Sequence, residues 1–280
     1  MTPGRRDTET PGNLKTAMLS LENIVKIFPV EGGILRRKIG IVPALKGVSL
    51  RVPAGGSLGI VGESGSGKTT LGKIVARHLA ADGGRVLWEG RPHEEFSRRE
   101  WASRVQMVFQ DPAASLNPKL SLRVLLGEAV AVRAQIDGQK GPRRAERDRR
   151  LQALLDEVGL SGAPLDAYPH QFSSGQRQRL AIARALAVRP RLLVADEPVS
   201  SLDLSVQAQI LNLLMDLKDR WGLTYIVISH DLAVVSRLAD RVAVMKNGEV
   251  VEEGETSAVL AAPRHPYTQT LLDAVPAFLR

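Results

Sequence analysis

The chain has 280 residues, 44% of them hydrophobic and 24% charged, with no cysteine and a formal net charge of +8. That is enough apolar material for one large domain or two coupled lobes, while disulfides, thiolate zinc sites and cysteine-held iron–sulfur clusters are excluded. No apolar run approaches the roughly 18–20 residues of a membrane-spanning helix, and the positive balance reads as a solvated, arginine-rich surface, because neither zinc-finger spacing nor an aromatic RNA-binding strand accompanies it.

In chain order, residues Met1 to about Ala17 are polar and broken by Pro3, Gly4, Pro11 and Gly12, which predicts a disordered tail without the apolar centre of a secretory signal. Met18 is a second candidate start. Leu19–Ile27 and Val48–Val52 predict strands, separated by a basic, glycine-containing stretch from Glu31 to Lys46. Leu58–Val61 reads as a buried strand, Thr69 to about Ala80 as a helix, and Val86–Trp88 and Val105–Phe109 as further strands. From Asp111 to Gln178 the pattern turns mostly helical. There Leu151, Leu154, Leu155 and Val158 recur at i, i+3, i+4 and i+7, and charged Asp137–Arg150, with Gly138, Gly141 and Pro142, predicts an exposed connection. Alternation then returns: strand Leu192–Ala195, a helix carrying Ile210, Leu213, Leu214 and Leu217, strand Tyr225–Ile228, and a helix near Leu232–Leu238. Val242–Met245 and Glu249–Val251 flank Asn247-Gly248, a hairpin turn. The expected fold class is α/β: a core with a parallel-strand sheet and an inserted α-helical lobe.

Gly62-Glu63-Ser64-Gly65-Ser66-Gly67-Lys68-Thr69 matches the P-loop pattern in full, between a strand and a helix. Its glycines let successive N–H groups face phosphate oxygens, and the helix start adds its positive dipole end. Lys68 is expected to reach the β- and γ-phosphates and Thr69 to ligate Mg²⁺; Thr70 follows in the same turn. Strand Leu192–Ala195 ends in Asp196-Glu197. In a P-loop protein the strand-end Asp holds Mg²⁺, which assigns Asp196, and Glu197 would polarise the attacking water. Without the P-loop, the two acids would read as solvated strand ends. A water-activating acid beside the loop points to hydrolysis rather than to binding alone.

Four further motifs make the chain resemble the ABC transporter ATPases, in that family's order and from about Leu19 to Pro276. Gln110 matches the Q-loop glutamine, Phe172-Ser173-Ser174-Gly175-Gln176 resembles the signature motif, Ser200-Ser201-Leu202-Asp203 resembles the D-loop, and His230 matches the switch histidine. The resemblance implies a P-loop NTPase core with an N-terminal antiparallel β subdomain. It also implies a head-to-tail pair of subunits, each ATP lying between the P-loop of one and the signature of the other. Ser173, the Gly175 N–H, Gln176 and Asp203 would then serve the partner's nucleotide. His230 would bond the γ-phosphate and orient water with Glu197, Gln110 would sense the γ-phosphate or Mg²⁺, and Phe28 lies where the family stacks an aromatic on adenine. Ser174 departs from the usual glycine.

Gln110 to Pro118 (QDPAASLNP) and the tail Pro263-Arg264-His265-Pro266-Tyr267-Thr268, followed by Leu271-Leu272 and Pro276, resemble the oligopeptide, dipeptide and nickel importer branch, and Phe28-Pro29-Val30 with its basic insertion the second of that branch's two ATPases. The implied division is a tail over 1–17, an ATPase domain over 18–262 with its helical lobe near 111–178, and a C-terminal tail over 263–280, where a short helix from Thr268 could dock back on the core. The implied cofactors are ATP and Mg²⁺. The implied partners are a second ATPase subunit, sister or self, and two multi-span permease subunits, with a solute-binding protein acting indirectly and no nucleic acid. The implied place is the cytoplasmic face of the inner membrane, peripherally. Two other readings use the same residues: a soluble ABC-type ATPase acting on nucleic acid or ribosomes, which the charge would favour, and a nucleotide-binding regulatory module, against which Asp196, Glu197 and His230 argue.

Overall fold

The computed structural model describes residues 17–32 and 37–273. The expected tail over 1–17 lies outside them except for Ala17, as does Pro276. In order the elements are β1 (Ala17–Gly32), β2 (Arg37–Pro53), β3 (Ser57–Val61), α1 (Lys68–Val75), β4 (Gly83–Trp88), β5 (Arg91–Pro92), α2 (Arg98–Arg104), β6 (Val105–Val108), α3 (Leu122–Ile136), α4 (Arg144–Glu157), α5 (Ser174–Leu186), β7 (Leu192–Asp196), α6 (Leu204–Trp221), β8 (Thr224–Ser229), α7 (Leu232–Leu238), β9 (Arg241–Lys246), β10 (Glu249–Glu255), α8 (Thr256–Ala261) and α9 (Pro266–Asp273).

Two sheets form. A six-stranded sheet has the order β10-β9-β3-β8-β7-β6, parallel from β9 to β6 and closed at one end by the antiparallel β9–β10 hairpin. A four-stranded antiparallel sheet has the order β2-β1-β4-β5. The parallel strands are buried on both faces, and their alternation sorts side chains into two cores. Leu58, Ile60, Leu192, Val194, Ile226 and Ile228 pack with β1, β2, β4, α1 and α2. Val61, Leu193, Tyr225, Val227, Val242 and Val244 pack with α3 to α7. The helical lobe therefore shares one continuous core with the second sheet face.

Three expectations change. The stretch Glu31–Lys46 is not simply a connection: β1 runs to Gly32 and β2 starts at Arg37, with Phe28 opposite Val42 and Glu31 opposite Lys38. Five register irregularities carry this long ribbon, and its outer part is exposed, with Ile41 and Val42 facing solvent. An exposed ribbon lacks the buried apolar signal by which strands are read. Asp137–Arg150 is a connection only as far as Arg143, because Arg144–Arg150 forms the first half of α4. Its exposed charges lie on the solvent face, supported by the i,i+4 pair of Glu146 with Arg150, while Leu151, Leu154 and Leu155 face the core. Helix α1 stops at Val75, not near Ala80. Arg77 takes a left-handed φ of 56° and donates to the carbonyls of His93 and Phe96, and Trp101 Nε1 donates to the Val75 carbonyl at the helix end.

Candidate functional site: a nucleotide cleft at the carboxyl ends of the strands

The register Val61↔Ser229, Ala195↔Val227 and Val108↔Ala195 aligns the carboxyl ends of β3, β8, β7 and β6 at one edge of the sheet, where ligands of open α/β sheets bind. The segments leaving those ends supply the phosphate loop, His230, Glu197 and Gln110. They enclose a cavity of about 650 Å³ lined by Gly62, Glu63, Ser64, Gly65, Gly67, Lys68, Thr69 and Thr70 of the loop, by Gln110, Glu197 and His230, and by Ala44 and Leu271. That volume suits a nucleotide-sized ligand.

The loop's shape demands glycine where it meets β2. Gly67 has φ 103°, and a Cβ there would lie 2.5 Å from the Ala44 carbonyl oxygen. Lys68 is folded over the loop: Nζ donates to the carbonyls of Gly62 at 2.6 Å and Glu63 at 2.8 Å and lies 3.5 Å from Ser66 Oγ. Burial lowers the Lys68 pKa, and the nearby Glu197, Asp196 and Glu63 carboxylates oppose that push. Ser66 is buried beneath the loop rather than on the cavity wall.

Thr69 Oγ1 donates to Asp196 Oδ1 at 3.0 Å. Burial raises the Asp196 pKa, countered by the Thr69 hydrogen bond and reinforced by Glu197. Two hard oxygen donors thus sit side by side at the start of α1, a set that suits Mg²⁺ held by few protein oxygens and by phosphate.

Glu197 follows β7 in a left-handed conformation, φ 49°, which is strained for a residue with a side chain. Its N–H donates to the Ile228 carbonyl at 2.9 Å, so β8 holds the turn. The turn brings Glu197 Oε1 within 3.0 Å of the donating His230 N–H and 2.8 Å of His230 Nδ1. Glu197 is mostly buried while the His230 ring is exposed, so the carboxylate is fixed from behind and the imidazole faces the cavity.

The signature residues lie elsewhere. Ser173 caps α5: Gln176 N–H donates to Ser173 Oγ at 3.3 Å, and Ser173 N–H donates to Gln176 Oε1 at 2.9 Å. The Ser-x-x-Gln spacing is itself a capping-box signal. Gly175 is buried against α6, where a Cβ would meet Val206 Cγ1 at 2.5 Å. Ser174 and Asp203 are exposed. None of Ser173, Gly175, Gln176 and Asp203 lines the cavity, and neither does Phe28. Phe28 lies on the ribbon under Lys26 Nζ, 5.5 Å from the ring centroid. The cavity walls that the sequence reading missed are Ala44 and Leu271. No sequence signal marks Ala44; Leu271 belonged to the apolar pattern of the tail.

These features define a P-loop nucleotide-binding protein equipped for phosphate chemistry. A family model described as ABC transporter matches residues 45–200, and one described as oligopeptide/dipeptide transporter, C-terminal region, matches residues 251–279. The chain is 44% identical to the oligopeptide transport ATP-binding protein AppF of Bacillus subtilis, over 95% of this chain and 80% of that one. It is 41% identical to the dipeptide transport ATP-binding protein DppF of Escherichia coli, over 94% of this chain and 78% of that one. Among solved structures, the dimeric ATP-binding cassette MJ0796 bound to ADP and phosphate aligns with TM-score 0.71 and 30% identity, over 85% of this chain and 99% of that one. The chain belongs to the ABC transporter ATP-binding family and is an ATPase of that family. Among the described residues, no helix is long and apolar enough to cross a membrane.

Proposed function

We propose that this chain is the ATP-hydrolysing subunit of an importer for oligopeptides or dipeptides. The supporting observation is the coincidence, in one chain, of the Lys68, Asp196, Glu197 and His230 cluster with a tail matched by the oligopeptide/dipeptide C-terminal model.

The cavity geometry supports the roles given to the loop, Lys68, Glu197 and His230, and the family resemblance supplies the others. Loop N–H groups and Lys68 bind the triphosphate through charge-assisted hydrogen bonds, the strong kind. Thr69 and Asp196 would hold Mg²⁺, with Gln110 on the same cavity, and Mg²⁺ bound there would supply neutralisation of phosphate charge. Glu197 orients and deprotonates the attacking water. Nδ1–H directed at Glu197 orients the His230 ring, and donation to the γ-phosphate requires Nε2 to carry a proton as well. Ser173, the Gly175 N–H, Gln176 and Asp203 serve a second subunit's nucleotide. Because Ser173 Oγ accepts from Gln176 N–H within its cap, its own proton stays available to donate across that interface. Phe28 does not line the cavity, and its proposed stacking on the base rests on the family resemblance alone. The dimer seen in MJ0796 supports this arrangement.

Residues 18–262 form the ATPase domain with the helical lobe near 111–178, and 263–280 form the tail. The partners are a second ATPase subunit, sister or self, and two permease subunits at the cytoplasmic face of the inner membrane, with a solute-binding protein acting through them. Affinity capture of the tagged chain from detergent-solubilised native membranes tests this. Two multi-span proteins and a second ATPase are expected; recovery only in the soluble fraction with nucleic acid would overturn it.

A further inference from the structure

The C-terminal tail does not merely return to the core; it reaches the phosphate loop. Glu252 anchors its entry, accepting the Arg264 N–H at 2.8 Å and the His265 N–H at 3.1 Å. His265 Nδ1 then accepts the Tyr267 N–H at 3.1 Å, which fixes the first turn of α9. Pro266 starts that helix, where its missing N–H costs nothing. Tyr267 is buried, with Lys246 Nζ 4.4 Å from its ring centroid, and its hydroxyl accepts the backbone N–H of Glu63 at 2.9 Å. Burial raises the Tyr267 pKa, so the hydroxyl keeps its own proton while its oxygen accepts from the loop. One turn later, on the same face of the helix, Leu271 lines the nucleotide cavity.

Glu63 is the second residue of the phosphate loop. Such a loop works through the joint direction of its N–H groups, and here one of them is committed to Tyr267. Lys68 Nζ donates to the carbonyls of Gly62 and Glu63, so the Gly62–Glu63 peptide is held by the tail at its N–H and by the phosphate-binding lysine at its carbonyl.

Resting on the nucleotide reading above, we propose that α9 is a wall of the nucleotide site: Tyr267 is a positioning residue that sets the phosphate loop through the Glu63 N–H, and Leu271 closes the cavity mouth. The tail thereby tunes the affinity for ATP and ADP.

The test uses the full chain, MgATP and MgADP as probes, and three single variants. Tyr267→Phe removes only the hydroxyl and keeps the ring under Lys246. It should raise the Kd for both nucleotides about three- to tenfold, the loss of one hydrogen bond, with KM for ATP following Kd and kcat changing less. Leu271→Ala should raise Kd in the same direction, and carries the test alone if Tyr267→Phe does not fold. Lys68→Ala should weaken ATP by tenfold or more. Wild-type nucleotide affinity in Tyr267→Phe and Leu271→Ala, alongside a lowered melting temperature and a weakened Lys68→Ala, would reduce the tail to a structural clamp and sink this inference alone. Unchanged affinity in Lys68→Ala would take down the nucleotide reading and this inference together.

Discussion

The phosphate-loop edge and the signature edge of this molecule are built on opposite plans. At the loop, the functional groups are bonded to one another within the chain and, apart from the exposed His230 ring, are wholly or partly buried: Lys68 to loop carbonyls, Thr69 to Asp196, and Glu197 to His230. At the signature, Ser173 and Gln176 satisfy each other in a cap and are otherwise exposed, as are Ser174 and Asp203. Groups that will carry or contact charge at the loop are positioned in advance, which is where electrostatic stabilisation is strongest. The signature offers a helix start and free donors to something outside the chain. In the dimer proposed above, a complete site takes the loop of one subunit and the signature of another, and perturbations at the two edges should then separate.

The largest expected effect is at the loop edge. Glu197→Gln keeps the size and the acceptor for His230 but removes the base, and should lower ATP turnover in the assembled complex by about 10²–10⁴-fold with ATP binding retained. Turnover within a few-fold of wild type would move the base elsewhere.

The signature edge should split stability from turnover. Ser173→Ala removes the cap and should cost about 1 kcal/mol, a fall of roughly 2–4 °C in melting temperature, together with lost turnover. Ser173→Asn keeps a capping oxygen but not the hydroxyl, so its melting temperature should stay near wild type while turnover still falls. Equal recovery of both properties in Ser173→Asn would confine Ser173 to the cap.

Asp196 sharpens the cost of a prepared site. Its carboxyl has a pKa raised above 3.8 by burial, so the folded state holds its proton to higher pH than the unfolded chain does. Stability is then lost as pH rises through the window above about 4. Asp196→Asn should raise the melting temperature of the nucleotide-free chain at pH 7 and flatten its fall with pH, while weakening MgATP-dependent turnover. A lower melting temperature at pH 7 would show that attraction to Lys73 and Lys68 outweighs the burial.

The smallest effect is expected at Ser174. Its side chain is exposed at the first position of α5, so Ser174→Gly should cost less than about 1 kcal/mol and leave turnover within roughly twofold. A tenfold rise in turnover would make this serine a tuning element of the trans site.

What the sequence by itself determined is local. A strand, a glycine-rich turn and a helix in immediate succession specify the phosphate loop, because neighbouring residues alone set its backbone. The apolar strand ending in Asp196-Glu197 and the one ending before His230 were legible for the same reason, and the doubly buried sheet followed from its continuous apolar runs. The exposed ribbon of β1 and β2 and the charged first half of α4 were not, since surface elements show no buried face to read. The Ser173–Gln176 capping box was written in the sequence but masked by the stronger signature pattern. Only the tertiary structure decided that Glu197 and His230 are hydrogen-bonded to each other, which depends on the register of β7 against β8, and that Ala44 and Tyr267 meet the loop from positions 18 residues before Gly62 and 204 residues after Glu63. Contacts across such separations depend on how the sheet and tail pack, and no local pattern of residue types encodes them.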